Sequence, residues 1–215
     1  VVIFSGLTDI YESEGFDRKH IDLPPSHNAL INAVLEKNSN VVVVLSGGSA
    51  VSMPWLYDVK AVVNGLLSGQ ASGGAAFDVL TGKVNPSGKL CDTITKSYDC
   101  YPCKEEFWES FKYIDYSDDI YVGYRYFDSF GVAPAYPFGF GLSYTDFSIH
   151  SAGVSADGSK IIVKAEVANI GASFSGKEVV QLYISAPSGE LHKEYQSLAA
   201  FAKTETLAPG QKEML

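Results

Sequence analysis

A chain of 215 residues with a formal net charge of -9 has the wrong sign for nucleic acid or an anionic membrane, since both call for a basic surface. Hydrophobic residues at 46% and charged ones at 19% exclude a disordered chain and describe a globular one, long enough for one large domain or two small ones. A neutral or small polar partner fits this balance. The longest apolar runs, Val41 to Leu45 and Ala61 to Leu67, are cut short by polar residues or glycine, well below a membrane span.

Val1 to Phe4 is a short apolar run that reads as a buried strand. Ser5-Gly6 closes it, and the polar loop that follows carries Glu12-Ser13-Glu14-Gly15-Phe16-Asp17-Arg18. Open α/β sheets place their chemistry on loops leaving the ends of strands. On an extended loop, carboxylates at i and i+2 project to one side, so Glu12 and Glu14 are expected within reach of each other's charge, with Arg18 pulling the opposite way. The plain alternative is a solvated acidic loop with Asp17 and Arg18 in a local ion pair. Leu23-Pro24-Pro25 then ends any regular element, Ser26 offers an N-cap, and the stripe Leu30, Ile31, Val34, Leu35 predicts a helix over about residues 27–37. Val41 to Leu45 reads as a central strand covered on both faces, hence a parallel sheet and an α/β fold.

Ser46-Gly47-Gly48-Ser49 lacks the ending of a phosphate loop and the spaced glycines of a dinucleotide fingerprint, so a turn at the sheet edge suffices. Ala61-Val62-Val63 leads to another strand. Gly69 to Gly74 precedes a helix with Ala76, Phe77, Val79 and Leu80 on its inner side and Gly82 as its C′ residue. Asn85-Pro86-Ser87-Gly88 reads as a turn, with Gly88 supplying a positive φ. Cys91, Cys100 and Cys103 are an odd set. Cys100-x-x-Cys103 has the spacing of a redox or metal pair, yet no second Cys pair and no His pair at ligand spacing accompanies it, so reduced thiols and no metal are favoured. Reduced thiols point to the cytoplasm rather than secretion.

From Lys96 to Asp119 the chain is irregular and rich in aromatics: Tyr98, Tyr101, Phe107, Trp108, Phe111, Tyr113 and Tyr116. They suit either a sugar site or the packing of a long connector. From Thr145 short alternating strands appear (147–149, 161–167 and 179–184), separated by the turn signals Asp157-Gly158 and Asn169-Ile170-Gly171, a pattern that suggests a β-sandwich. The expected parts are thus an α/β sandwich domain with a mainly parallel sheet over 1–96, an aromatic-rich connector over 97–144 and a second domain over 145–215. The chain begins with Val1 already in a strand and ends where another strand starts, so it reads as one piece of a larger molecule, with sheet edge exposed when isolated.

Four stretches, in this order, resemble family 3 glycoside hydrolases, the β-glucosidase and β-xylosidase family. They are Ser13-Glu14-Gly15-Phe16-Asp17-Arg18, Gly82 to Leu90, Ile120 to Asp128 and Tyr136 to Thr145. One departure is Leu90-Cys91-Asp92-Thr93-Ile94-Thr95, where the family commonly has Leu-Pro-x-Thr-Phe-Pro; the missing prolines bear on backbone rigidity rather than chemistry. The resemblance implies a retaining β-glycosidase acting on terminal non-reducing β-D-glucosyl or xylosyl residues, without a cofactor. It also implies a fibronectin type III-like domain from Thr145, present only in part.

Retention requires two carboxyls about 5 to 5.5 Å apart. In this family the nucleophile is an Asp on a (β/α)8 barrel, and no stretch here resembles that barrel or has the length for one. The expected partner is therefore a barrel domain on the same or another chain; homo-oligomer formation stays open. Glu14 matches the acid/base position, Glu12 is the alternative donor if the loop slips by two residues, and Asp17 and Arg18 are assigned to holding the loop. Substrate-binding residues are left unassigned. A non-catalytic carbohydrate-binding or interaction module, and a nucleotide-dependent enzyme that needs a phosphate loop, are the other readings.

Overall fold

The computed structural model describes residues 1–15, 18–105 and 112–215. Strands β1 (Val2–Gly6), β2 (Val42–Ser46) and β3 (Ala61–Asn64) form a parallel sheet in that order, with Val2 opposite Val42 and Val44 opposite Val63. Parallel neighbours oblige the chain to cross back between strands. Helix α1 (Pro25–Leu35) lies in the crossover from β1 to β2, and residues 47–60 make that from β2 to β3. Loops 7–24 and 47–60 consequently depart from the same end of the sheet, which is how two stretches far apart in sequence come to share one site. Ile3, Ile31, Val41, Val43, Val44, Leu45 and Trp55 are buried, and the Trp55 indole N–H donates to Asn28 Oδ1 at 2.9 Å.

Several expected details of packing differ. Val1 to Phe4 does enter a strand, but only Ile3 and Ser5 are buried there, while Val2 and Phe4 are 46% and 67% exposed. β1 is an edge strand whose side chains alternate between faces, so an apolar run is not by itself proof of cover on both. Helix α1 begins at Pro25, not behind a Ser26 cap; proline suits the first turn because the N–H it lacks would have no helical partner. Of the α1 stripe only Ile31 is buried, and Leu30, one residue round the helix, is 52% exposed. Helix α2 (Ser72–Leu80) forms where expected and Gly82 takes φ +74°, but the helix has no buried residue and Phe77 is 62% exposed.

The aromatic stretch is partly resolved into packing. Ile94 and Tyr136 bridge in antiparallel fashion, and helix α3 (Tyr124–Phe130) buries Phe127 against Tyr101, ring centroids 6.2 Å apart, and Tyr126. Tyr113 and Tyr116 are exposed; Phe107, Trp108 and Phe111 lie outside the described residues.

The remaining strands are antiparallel. β4 (Phe147–Asp157) and β5 (Lys160–Asn169) form a hairpin through Asp157-Gly158, with Gly158 at φ +58°, and β8 (Lys212–Met214) joins β5; β6 (Val179–Ile184) pairs with β7 (Ser197–Lys203). Buried Asn169 ties this region together. Its Oδ1 accepts from Thr145 Oγ1 (2.7 Å) and Gly171 N (3.1 Å), and its Nδ2 donates to Phe174 O and Leu207 O (2.9 Å each), filling the capacity of the amide.

Compactness divides the chain into residues 1–78 with 92–137 and residues 79–91 with 138–215, where a linear partition at 96 and 144 was expected. The reason is visible in the second unit. Asn85 Oδ1 accepts from Ser143 Oγ and Tyr144 N, its Nδ2 donates to Ser175 O, and Lys89 Nζ reaches Gly141 O and Glu178 Oε1 at 2.7 and 2.8 Å. Residues 85–90 are an extended strap and not a turn, and Gly88 lacks a positive φ. Its backbone instead runs so close to Gly141 that a Cβ there would stand 2.2 Å from Gly88 O.

Candidate active site

The loop leaving β1 is tied down from its first residue. Leu7 N donates to Ser46 O at the end of β2, and Tyr11 N and Glu12 N both donate to Thr8 O, closing a turn that sets the direction of the Glu12 side chain. The Glu12 carboxylate then meets the loop after β2: Oε2 accepts from Gly48 N at 2.8 Å and Oε1 from Ser49 Oγ at 3.0 Å. Gly48 leaves room for this approach, because a Cβ there would stand 3.0 Å from Glu12 Oε1 and 3.0 Å from Leu67 Cδ1.

Arg18 returns to the same place from the far side of the loop. Its Nη2 donates to Ser49 Oγ at 2.7 Å and to Ala50 O at 2.8 Å. The Ser49 hydroxyl thus accepts from Arg18 while donating to Glu12. Desolvation lowers the Arg18 pKa from its ordinary value, opposed by the charge of Glu12 and, more weakly, by Tyr101 and Asp22. Tyr101 in turn is raised, first by burial and then by Asp92. Further along, Asp22 pairs with Ser52 across an isolated parallel bridge, Ser52 Oγ donating to Asp22 Oδ1, so loops 7–24 and 47–60 are joined at a third point.

The expected site residues separate in character. Glu12 does not share a free face with Glu14; both its oxygens are engaged by residues 48 and 49. Glu14 is exposed, beside Gly15 at φ +96°, and among the described residues its carboxylate takes no hydrogen bond or ion pair. Arg18 holds the loop through Ser49 and Ala50; Asp17, the other residue assigned to that task, lies outside the described residues. Gly48 and Ser49 belong to the stretch Ser46 to Ser49, whose sequence reads only as a turn, and Ala50 follows it. The signal that marks them is topological: they follow the strand paired in parallel with β1, so their loop departs beside the one that carries Glu14.

The site presents Glu14, whose carboxylate is unengaged among the described residues, on a loop anchored to its neighbour, an arrangement suited to giving and taking a proton at a ligand presented from outside. Among the described residues no cluster of three His, Cys, Asp or Glu side chains is able to hold a metal ion, and no helix is long and apolar enough to cross a membrane.

Comparison with known proteins identifies the domains of the chain. The glycosyl hydrolase family 3 C-terminal domain is matched over residues 1–144 and the fibronectin type III-like domain over residues 178–215. Thermostable beta-glucosidase B of Acetivibrio thermocellus is 44% identical over 216 residues, covering 99% of this chain but 28% of its own length. The crystal structure of a Kluyveromyces marxianus beta-glucosidase in complex with glucose superposes with a TM-score of 0.96 at 38% identity, over 100% of this chain and 26% of that one. A Bifidobacterium adolescentis beta-glucosidase of the same family gives 0.94 at 39%, over 100% and 32%. The chain spans about a quarter to a third of the length of these relatives. With two thirds of its length matched by that family model, this chain belongs to glycosyl hydrolase family 3, its residues 1–144 corresponding to the C-terminal domain and residues 178–215 to the fibronectin type III-like domain.

Proposed function

We propose that this chain supplies the general acid/base of a retaining β-glycosidase that releases terminal β-D-glucosyl, or xylosyl, residues from oligosaccharides, and that Glu14 is that acid/base. The observation that carries the reading is the contrast between the two loop glutamates. Both oxygens of Glu12 are engaged by Gly48 and Ser49, whereas Glu14 is exposed and unengaged among the described residues. The relatives named as beta-glucosidases, one of them in complex with glucose, support the choice of sugar.

In this mechanism Glu14 protonates the departing glycosidic oxygen while an aspartate on a barrel domain attacks the anomeric carbon. The Glu14 carboxylate then takes a proton from the water that hydrolyses the glycosyl-enzyme. Arg18, bonded to Ser49 and Ala50, fixes the loop.

The test is Glu14→Gln in the full-length enzyme. Glycosides with poor leaving groups should lose about 10²- to 10⁴-fold in kcat/KM, since their oxygen needs the proton, while activated aryl glycosides should be slowed far less in the glycosylation step. Azide should then relieve the hydrolytic step by attacking without a base. A Glu14→Gln enzyme with an unchanged leaving-group dependence overturns the assignment.

A further inference from the structure

Glu14 sits between two points of the loop, residues 12 and 18, that are both fastened to the same short segment, residues 48–50. Glu12 holds the backbone N–H of Gly48 and the hydroxyl of Ser49; Arg18 holds that same hydroxyl and the carbonyl of Ala50. A chain of three groups, Arg18 Nη2 to Ser49 Oγ to Glu12 Oε1, therefore closes the base of the loop, with hydrogen-bond lengths of 2.7 and 3.0 Å. Each member fits its place by chemistry. Ser49 has one proton to give and lone pairs to receive, the carboxylate only accepts, and the guanidinium only donates, so the direction of the relay is fixed.

We propose that Glu12 is a positioning residue for the glycosidase reaction. Its carboxylate does not transfer a proton; as an acceptor for Gly48 N and Ser49 Oγ it holds the span that carries Glu14 at the distance from which a glycosidic oxygen is protonated. This rests on the reading of Glu14 as acid/base. It also gives a role to the loop's second glutamate, where proton transfer needs one. A carboxylate already engaged by a backbone amide and a hydroxyl is a good anchor.

The consequence is a loss that follows the need for a proton. An acid displaced by about 1 Å costs on the order of 100-fold where proton transfer limits the rate. In the full-length enzyme, Glu12→Ala should therefore lose about 10- to 100-fold in kcat/KM on glycosides with poor leaving groups and much less on activated aryl glycosides. Glu12→Gln keeps an oxygen for Gly48 N and should recover most of the loss. Ser49→Ala cuts the relay without touching the Gly48 bond and should give the same leaving-group pattern in weaker form; it also serves if Glu12→Ala does not fold. The double variant Glu12→Ala/Ser49→Ala should be little worse than Glu12→Ala, because both remove one connection.

A loss equal on both substrate classes marks a merely structural role and overturns the inference, as does full activity of Glu12→Ala. Should Glu12→Gln be as damaged as Glu12→Ala and be rescued by azide, Glu12 is itself the proton donor, and both this inference and the role of Glu14 fall. A Glu14→Gln enzyme that keeps its activity on poor leaving groups overturns the role of Glu14 by a separate measurement, made without any change at Glu12.

Discussion

At the scale of single residues, the site depends on a side chain that is missing. Gly48 offers its N–H to Glu12 Oε2 at 2.8 Å, and a methyl group there would meet Glu12 Oε1 and Leu67 Cδ1, each at 3.0 Å. Both neighbours are ends of flexible side chains, so Gly48→Ala is expected to fold, with the carboxylate displaced by a few tenths of an ångström. Activity on poor leaving groups should fall by about 10-fold, with little change in thermal midpoint, because the contact lies in an exposed loop. Parallel measurement of kcat/KM and of the midpoint separates the outcomes: a large drop in midpoint with proportional loss on all substrates would locate the effect in folding. Arg18 completes the picture. Desolvation weakens its charged form and Glu12 strengthens it, while the one nitrogen Nη2 donates to both Ser49 Oγ and Ala50 O.

At the scale of elements, the motif Gly82 to Leu90 proves to be a structural strap. Lys89 is partly buried, paired with Glu178 at 2.8 Å, side chains 16% and 15% exposed, and bonded to Gly141 O. Breaking a buried pair by removing one partner leaves the other charge stranded, whereas replacing both with apolar groups is often tolerated. Lys89→Met should therefore destabilise the folded state by about 1 to 3 kcal/mol, and Lys89→Met/Glu178→Leu should regain most of that. Urea unfolding reads both. A double variant as unstable as the single would show that the bond to Gly141 O, and not the ion pair, carries the contribution. The polar groups of the strap are engaged within its own unit: Asn85 with Ser143, Tyr144 and Ser175, Lys89 with Gly141 and Glu178, and the Ser87 carbonyl with Lys203.

For the molecule as a whole, what could be read in the sequence was local periodicity. The β-branched run at Val41 to Leu45, the turn at Asp157-Gly158 and the left-handed Gly82 each follow from the residue's own backbone preference, and each is realised. Burial was less legible. Phe4, Leu30 and Phe77 are apolar at positions of proper period yet exposed, since period fixes the face and only tertiary structure fixes what covers it. Least legible was the meeting of Glu12 and Arg18 with residues 48–50, because separations of 31 to 37 residues are set by strand order and not by any neighbouring letter. Strand order also bears on activity. A retaining mechanism needs a second carboxyl about 5 to 5.5 Å from the acid/base, and the other glutamate of the loop is engaged with Gly48 and Ser49. The 215-residue chain expressed by itself should accordingly hydrolyse no aryl β-glycoside, activated or not, even in azide and even where circular dichroism and a cooperative thermal transition report a folded protein. Turnover by that chain that disappears on Glu14→Gln would mean that a nucleophile lies within these residues, and the division of the two carboxyls between separate domains would have to be abandoned.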